Sequence, residues 1–183
     1  MLRRLTAGLA AAFLLAVAAA VLIRAAPVPA ALLDADPLQA RTPLARPGYL
    51  VLPAGTAETA GGDAVSPVWP LPPAELLDRL TAIALAEPRT VLAGGDPARG
   101  RVTLVQRSRL MGYPDVIAVR ALPAPGGATL AILSQSRFGG NDWGVNRARV
   151  ERWLAALTAA AAPVTAPGAA APGSAARAGE GTP

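Results

Sequence analysis

Between Leu5 and Ile23 the chain carries no charged residue. The run LTAGLAAAFLLAVAAAVLI covers about 19 positions, close to the ~20 that a helix needs to span the hydrocarbon core of a bilayer. A helix apolar on every side has to be buried in a core or in lipid, so this run constrains the chain more than any other feature. Arg3 and Arg4 precede it and only Arg24 follows closely, an asymmetry that keeps the first residues in the cytoplasm and exports the remainder. The expected location is the inner membrane, with the domain facing the periplasm. The alternative is a signal peptide cut near Val28-Pro29-Ala30, which would release the domain into the periplasm. The run is longer than the apolar region of most signal peptides, and this favours an uncleaved anchor.

The residue types that are missing exclude much chemistry. The 183 residues include no Cys and no His, and all 17 basic residues are Arg. Zinc-finger and thiolate metal sites, cysteine nucleophiles and Ser-His-Asp relays are therefore excluded. So are Schiff bases, Ser-Lys dyads and the phosphate-binding lysine of nucleotide loops. No cofactor or metal is implied. The formal net charge of +5 could suggest nucleic acid, but part of it flanks the apolar run and the rest is scattered singly. No basic stripe forms, so nucleic acid is not an expected partner.

The chain divides by composition into residues 1–24 (anchor or signal), a Pro-rich linker at 25–47, a domain at 48–162, and an Ala/Pro/Gly tail at 163–183. Prolines at 27, 29, 37, 43 and 47 preclude a long helix in the linker, which reads as a stalk. The tail lacks large apolar groups to offset the entropy of ordering and is expected to be disordered. Within the domain, Tyr49–Leu52 reads as a short edge strand and 54–72 as a loop. Pro73 suits the first turn of a helix, Leu76, Leu80 and Ile83 recur at helical spacing, and Pro88 ends it. Strands follow at Thr90–Ala93, Arg101–Leu110, Val116–Leu122 and Ala128–Ser134, with a five-residue connection at 123–127. A last helix runs from about Trp143 to Ala162 on an apolar stripe of Val150, Trp153, Leu154 and Leu157, with Arg147, Arg149 and Arg152 on other faces. The expected fold is α+β: a small antiparallel meander of three to five strands with two helices on one face.

Three segments carry a more specific signal. They are Pro88-Arg89-Thr90-Val91-Leu92-Ala93-Gly94, then Gln106-Arg107-Ser108-Arg109 leading to Gly112-Tyr113-Pro114-Asp115, and above all the run SRFGGNDWGVNRARVERWL from Ser136 to Leu154. Together they resemble the domain-of-unknown-function family number 1499, bacterial proteins that often carry an N-terminal membrane segment. The resemblance covers about Gly48 to Leu157, and this chain departs from the family pattern at Gly140, Asn141 and Trp143. It implies no established reaction, so no catalytic residue carries over.

Read physically, the long motif is first a structural one. Asp142 can cap the last helix, and Gly139, Gly140 and Gly144 let the backbone turn into it. Asn146 can bond a neighbouring loop, and Arg137 can pair with Asp142 or Asp115. The same region offers a second reading. Arg107, Arg109, Arg137 and Arg147, with Asn146 and a helix N-terminus, could bind an anionic small molecule or a lipid headgroup. A third is hydrolysis by paired carboxylates, for which Asp115 and Asp142 are the only pair on distinctive motifs. The expected function is that of a membrane-tethered, non-catalytic binding or structural envelope component.

Overall fold

The computed structural model describes residues 2–161; the expectations for the tail at 163–183 lie outside the described residues. Helix α1 spans Leu2–Ala25. From Gly8 to Ala25 it has a mean hydropathy of 2.2 and none of it is buried, so it is long and apolar enough to cross a membrane. A short α2 (Ala30–Leu33) and a 3-10 turn (Pro37–Gln39) follow. The domain then runs β1 (Gly48–Pro53), α3 (Thr56–Ala60), β2 (Ala64–Ser66), β3 (Val68–Trp69), α4 (Pro73–Ala86), β4 (Thr90–Gly94), β5 (Arg101–Arg107), β6 (Pro114–Ala124), β7 (Gly127–Ser136) and α5 (Val145–Ala161).

These elements make an α+β fold on one mixed, seven-stranded sheet. Its order is β2-β1-β7-β6-β5-β4, with β3 also on β7. The meander β4-β5-β6-β7 is the expected one, and its strands are antiparallel. The sheet exceeds the expected three to five strands because the segment 54–72, expected to be a loop, contributes β2 and β3; β1, expected at an edge, pairs antiparallel with β7 and takes β2 in parallel on its other side. The β6–β7 hairpin is also tighter than expected. Its ladder runs to Ala124 opposite Gly127, leaving Pro125-Gly126, with Gly126 at φ +87°, as a type II turn allows. Gly127 is required there, since a Cβ would meet the Trp69 carbonyl oxygen at 1.9 Å.

Strand alternation sends Tyr49, Val51, Leu104, Ile117, Leu130 and Ile132 to one face, under α4 and α5. Helix α4 starts at Pro73 with Glu75 in its first turn and buries Leu76, Leu77, Leu80 and Ala84. Each such leucine contributes roughly 1.5–3 kcal/mol on burial, more than the helix's own propensity supplies. The opposite face is not bare. Leu50, Leu52, Ala118, Ala131 and Leu133 point there, covered by Ala57 and Ala60 of α3 and by Ala35, Leu38, Ala40 and Leu44. The Pro-rich segment therefore does not stand clear of the sheet. It passes Asp34 and Asp36, which pair with Arg101 and Arg120 at the far end, and returns to Pro47, whose carbonyl accepts from the Ser136 amide at 2.9 Å. Proline prevents a long helix there but does not prevent apolar packing.

The register fixes where the motifs meet. Gly48 lies beside Gln135, Asp115 beside Ser136, Pro114 beside Arg107 and Gln106 beside Thr90. The loops 108–113 and 137–144, the start of α5 and the entry to β1 therefore share one end of the sheet. The end of α1 meets them there: Arg24 donates to the Leu110 carbonyl at 2.6 Å, Arg107 to Ala26 at 3.4 Å, and Arg137 to Pro27.

Candidate functional site

At this end of the sheet α5 places an arginine where the apolar stripe would put a leucine. Arg149 follows Asn146 by three positions and precedes Trp153 by four, so it faces the sheet. It is 2% exposed, and its guanidinium is shared among four partners. Nε donates to Gln106 at 2.6 Å, Nη1 to Ser134 at 3.0 Å and to Asn146 at 2.8 Å, and Nη2 to Asp115 at 2.6 Å. Asp115, also buried, takes a second bond from the Ser136 hydroxyl at 2.8 Å. A buried charge is tolerated when it is paired and hydrogen-bonded; here the charges are paired and each guanidinium nitrogen has a partner.

Asn146 links that pair to the turn before the helix. Its Oδ1 accepts from Ser134 at 2.7 Å, and its Nδ2 donates to Ser136 at 3.0 Å and to Asp142 at 2.8 Å. Asp142 also accepts from the amides of Gly144 and Asn146, each at 3.1 Å. It thus caps α5 from three positions before Val145, and two left-handed residues make this possible: Trp143 at φ +53° and Gly144 at φ +74°. Burial pushes the Asp142 carboxyl up, but the side-chain and backbone bonds from Asn146 and Gly144 outweigh it and the net is a lowered pKa. On the other side of Arg149, Gln106 donates to Glu87 at 2.8 Å and to Thr90 at 2.9 Å. Burial raises the Glu87 carboxyl as well, and donors on Gln106 and Arg152 bring it below its ordinary value. One network therefore joins all three sequence motifs.

Of the four arginines singled out from sequence, Arg107 and Arg109 share one cavity, while Arg137 and Arg147 have other partners. Arg147 lies on the exposed side of α5, paired with Glu151 at 2.8 Å and over the Tyr49 ring at 5.8 Å. Arg137 bonds Pro27 and stacks on Phe138 at 4.6 Å, away from both Asp142 and Asp115. Arg107 bonds the Gly112 carbonyl at 3.1 Å. With Arg24, Arg89 and Arg109 it lines a cavity of about 320 Å³. Asn146 alone of the ligand candidates is in the network. Of the motif residues, Asp115, Asp142, Gly144 and Asn146 belong to it, while Gly139, at φ +91°, shapes the loop outside. Arg149 was misplaced by sequence because an arginine is normally a surface residue. The available signal was its register with Val150, Trp153 and Leu157.

Asp115 and Asp142 both border a second cavity, of about 370 Å³, together with Tyr113, Phe138 and Trp143. Ser136 and Asn146 also bridge the two carboxylates. Of the two carboxyls that acid–base hydrolysis uses, one is held protonated, well above its ordinary value; Asp142, shifted down, is not that one.

Residues 53–157, more than half of the chain, match the model of a family described as Protein of unknown function (DUF1499). No match was found among curated proteins or among solved structures.

Proposed function

The chain belongs to the DUF1499 family, and we propose that its domain is a non-catalytic envelope component, tethered by α1 and facing the periplasm. One observation carries the non-catalytic reading: the buried polar groups of the motifs are spent on one another. Asp142, Asn146, Ser136, Asp115 and Arg149 form a closed chain of bonds that clamps α5 to the ends of β5, β6 and β7. A reacting centre needs groups held ready for a substrate, often at a cost in stability. The tether reading rests on the apolar length of α1 and on Arg3 and Arg4 ahead of its apolar run, which favour a cytoplasmic start.

Two experiments test this. Asn146→Ala in the full chain should lower the urea midpoint, since it opens the network at its centre. A midpoint unchanged or raised would mark Asn146 as a functional group and overturn the structural reading. Alkaline carbonate should leave the protein in the membrane, and alkaline phosphatase fused after Ala161 should be active. A soluble product that has lost α1 would refute the anchor. Anion or lipid-headgroup binding is a second reading, favoured by the cavity of Arg24, Arg89, Arg107 and Arg109.

A further inference from the structure

The chain has seven aromatic residues, and outside α1 they sort sharply. Tyr49, Trp69 and Trp153 are buried in the core, whereas Tyr113, Phe138 and Trp143 are exposed. All three exposed rings stand on the two loops at the end of the sheet where α1 arrives. Leu110, 80% exposed, and Trp143, 88% exposed, are the most open large apolar side chains of the domain. Tyr113 and Phe138 contact each other with centroids 6.0 Å apart. Trp143 also sits in the left-handed region at φ +53°, where a bulky side chain is disfavoured. Its backbone strain thus buys no burial within the domain.

Apart from Arg41, which bonds the Leu38 and Ala40 carbonyls, and Arg147, which pairs with Glu151, the cations of the domain and its approaches sort in the same way. At the far end and along the helices, Arg79, Arg99, Arg101, Arg120 and Arg152 are ion-paired. At the α1 end, Arg24, Arg46, Arg89, Arg107 and Arg137 bond only backbone carbonyls, and Arg109 lies exposed beside them. None of these six has a carboxylate within ion-pair distance among the described residues. Gly112 lets the side chain of Arg24 lie against the 108–113 loop: a Cβ there would come within 2.3 Å of Arg24 Cγ. The end of the apolar helix is therefore joined to the loops without an intervening stalk.

We infer that this end of the domain is a lipid-docking face, on which Leu110, Tyr113, Phe138 and Trp143 enter the interfacial layer of an anionic bilayer beneath a ring of unpaired arginines. Amphipathic rings prefer that layer, and anionic headgroups supply the counter-charge that the arginines lack. The occupant is fixed by continuity, because the helix that would span the bilayer ends at this face. The inference rests on α1 being a membrane anchor. It adds that the domain lies down on the lipid rather than standing clear of it.

The test uses the full chain in bilayer nanodiscs of phosphatidylglycerol and phosphatidylcholine, with its co-elution with the discs checked first. The Trp143 signal is isolated as the difference between the wild type and Trp143→Phe, since Trp69 and Trp153 are buried. Lipids brominated near the top of the acyl chain should quench this signal strongly, and aqueous iodide should quench it weakly. In discs of phosphatidylcholine alone, or in Arg89→Glu/Arg109→Glu, bromine quenching should fall at least twofold. A chain that elutes with the discs while Trp143 is open to iodide and untouched by bromine overturns the docking face and leaves the anchor standing. A chain that does not enter the discs overturns the anchor, and the docking face with it.

Discussion

Arg149→Met removes the centre of the buried network while keeping the aliphatic bulk that packs beside Val150 and Trp153. The Asp115 carboxylate, 11% exposed, would keep the Ser136 hydroxyl and lose its cation. Gln106, Ser134 and Asn146 would each lose a donor. Removing one partner of a buried pair costs about 3–5 kcal/mol, because the other charge stays behind without compensation. Against a total of roughly 5–15 kcal/mol for a domain, that is a large share. With a urea dependence of roughly 2 kcal/mol per molar, the midpoint should fall by about 2 M. The assay is urea unfolding of the full chain in mild detergent, followed by the fluorescence of Trp69 and Trp153. The double variant Arg149→Met/Asp115→Leu removes both charges, and should recover at least half of the loss by the logic of a mutant cycle. A single variant within about 1 kcal/mol of wild type would refute the claim that this pair organises the domain. So would a double variant no better than the sum of the singles.

Asp142→Ala should cost about 1 kcal/mol as a lost cap. Because the folded carboxyl lies below its ordinary value of 3.8, its contribution is present above that pH and fades as pH falls through the folded value. Midpoints of wild type and Asp142→Ala should therefore converge in acid, and a gap that does not narrow as the pH is lowered counts against the cap. Arg147→Ala should leave the urea midpoint unchanged, since its pair with Glu151 is open to water, and a clear loss would show that it takes part in the clasp. Trp143→Gly should leave the midpoint unchanged or raise it, because the indole is 88% exposed and glycine accepts a positive φ; a lower midpoint would mean that the indole packs on the domain.

Much of the fold was legible because local pattern and final position agree. Pro73 and Pro88 bracket α4, and the two-residue period of Val102, Leu104, Ile117, Val119, Leu130 and Ile132 survives as the helix-facing side of the sheet. What escaped sequence reasoning was non-local. Nothing within Gly48–Pro53 says that β1 will join the last strand after some 80 intervening residues, or that β2 will follow it in parallel. Its apolar run GYLVLP was a hint, since an edge strand with one wet face would alternate. Leu50 and Leu52 alongside Tyr49 and Val51 mean that both faces are covered. The cover for the second face came from the Pro-rich segment, in which Leu38 and Leu44 were obscured by the prolines around them.

The site divides along the same line between local and non-local information. Asp142 and Gly144 act within six residues of each other and of Asn146, so capping chemistry could be read from their order. The role of Arg149 depends on Asp115 and Gln106, 34 and 43 positions away, and only the register of β5, β6 and β7 brings those together. Sequence reasoning grouped arginines by their nearness to the motif, whereas the fold separates them by carboxylate supply. Arg149 lies inward, with a partner on every guanidinium nitrogen. Arg24, Arg46, Arg89, Arg107 and Arg137 lie at the rim with carbonyls for partners, and Arg109 lies exposed beside them. The clasp and the rim are thus two layers of one construction: the buried pair holds the ends of the strands and the start of α5 rigid, and the loops fixed to them carry Tyr113, Phe138 and Trp143 outward. A motif of this kind binds its polar groups to one another in order to present the apolar ones.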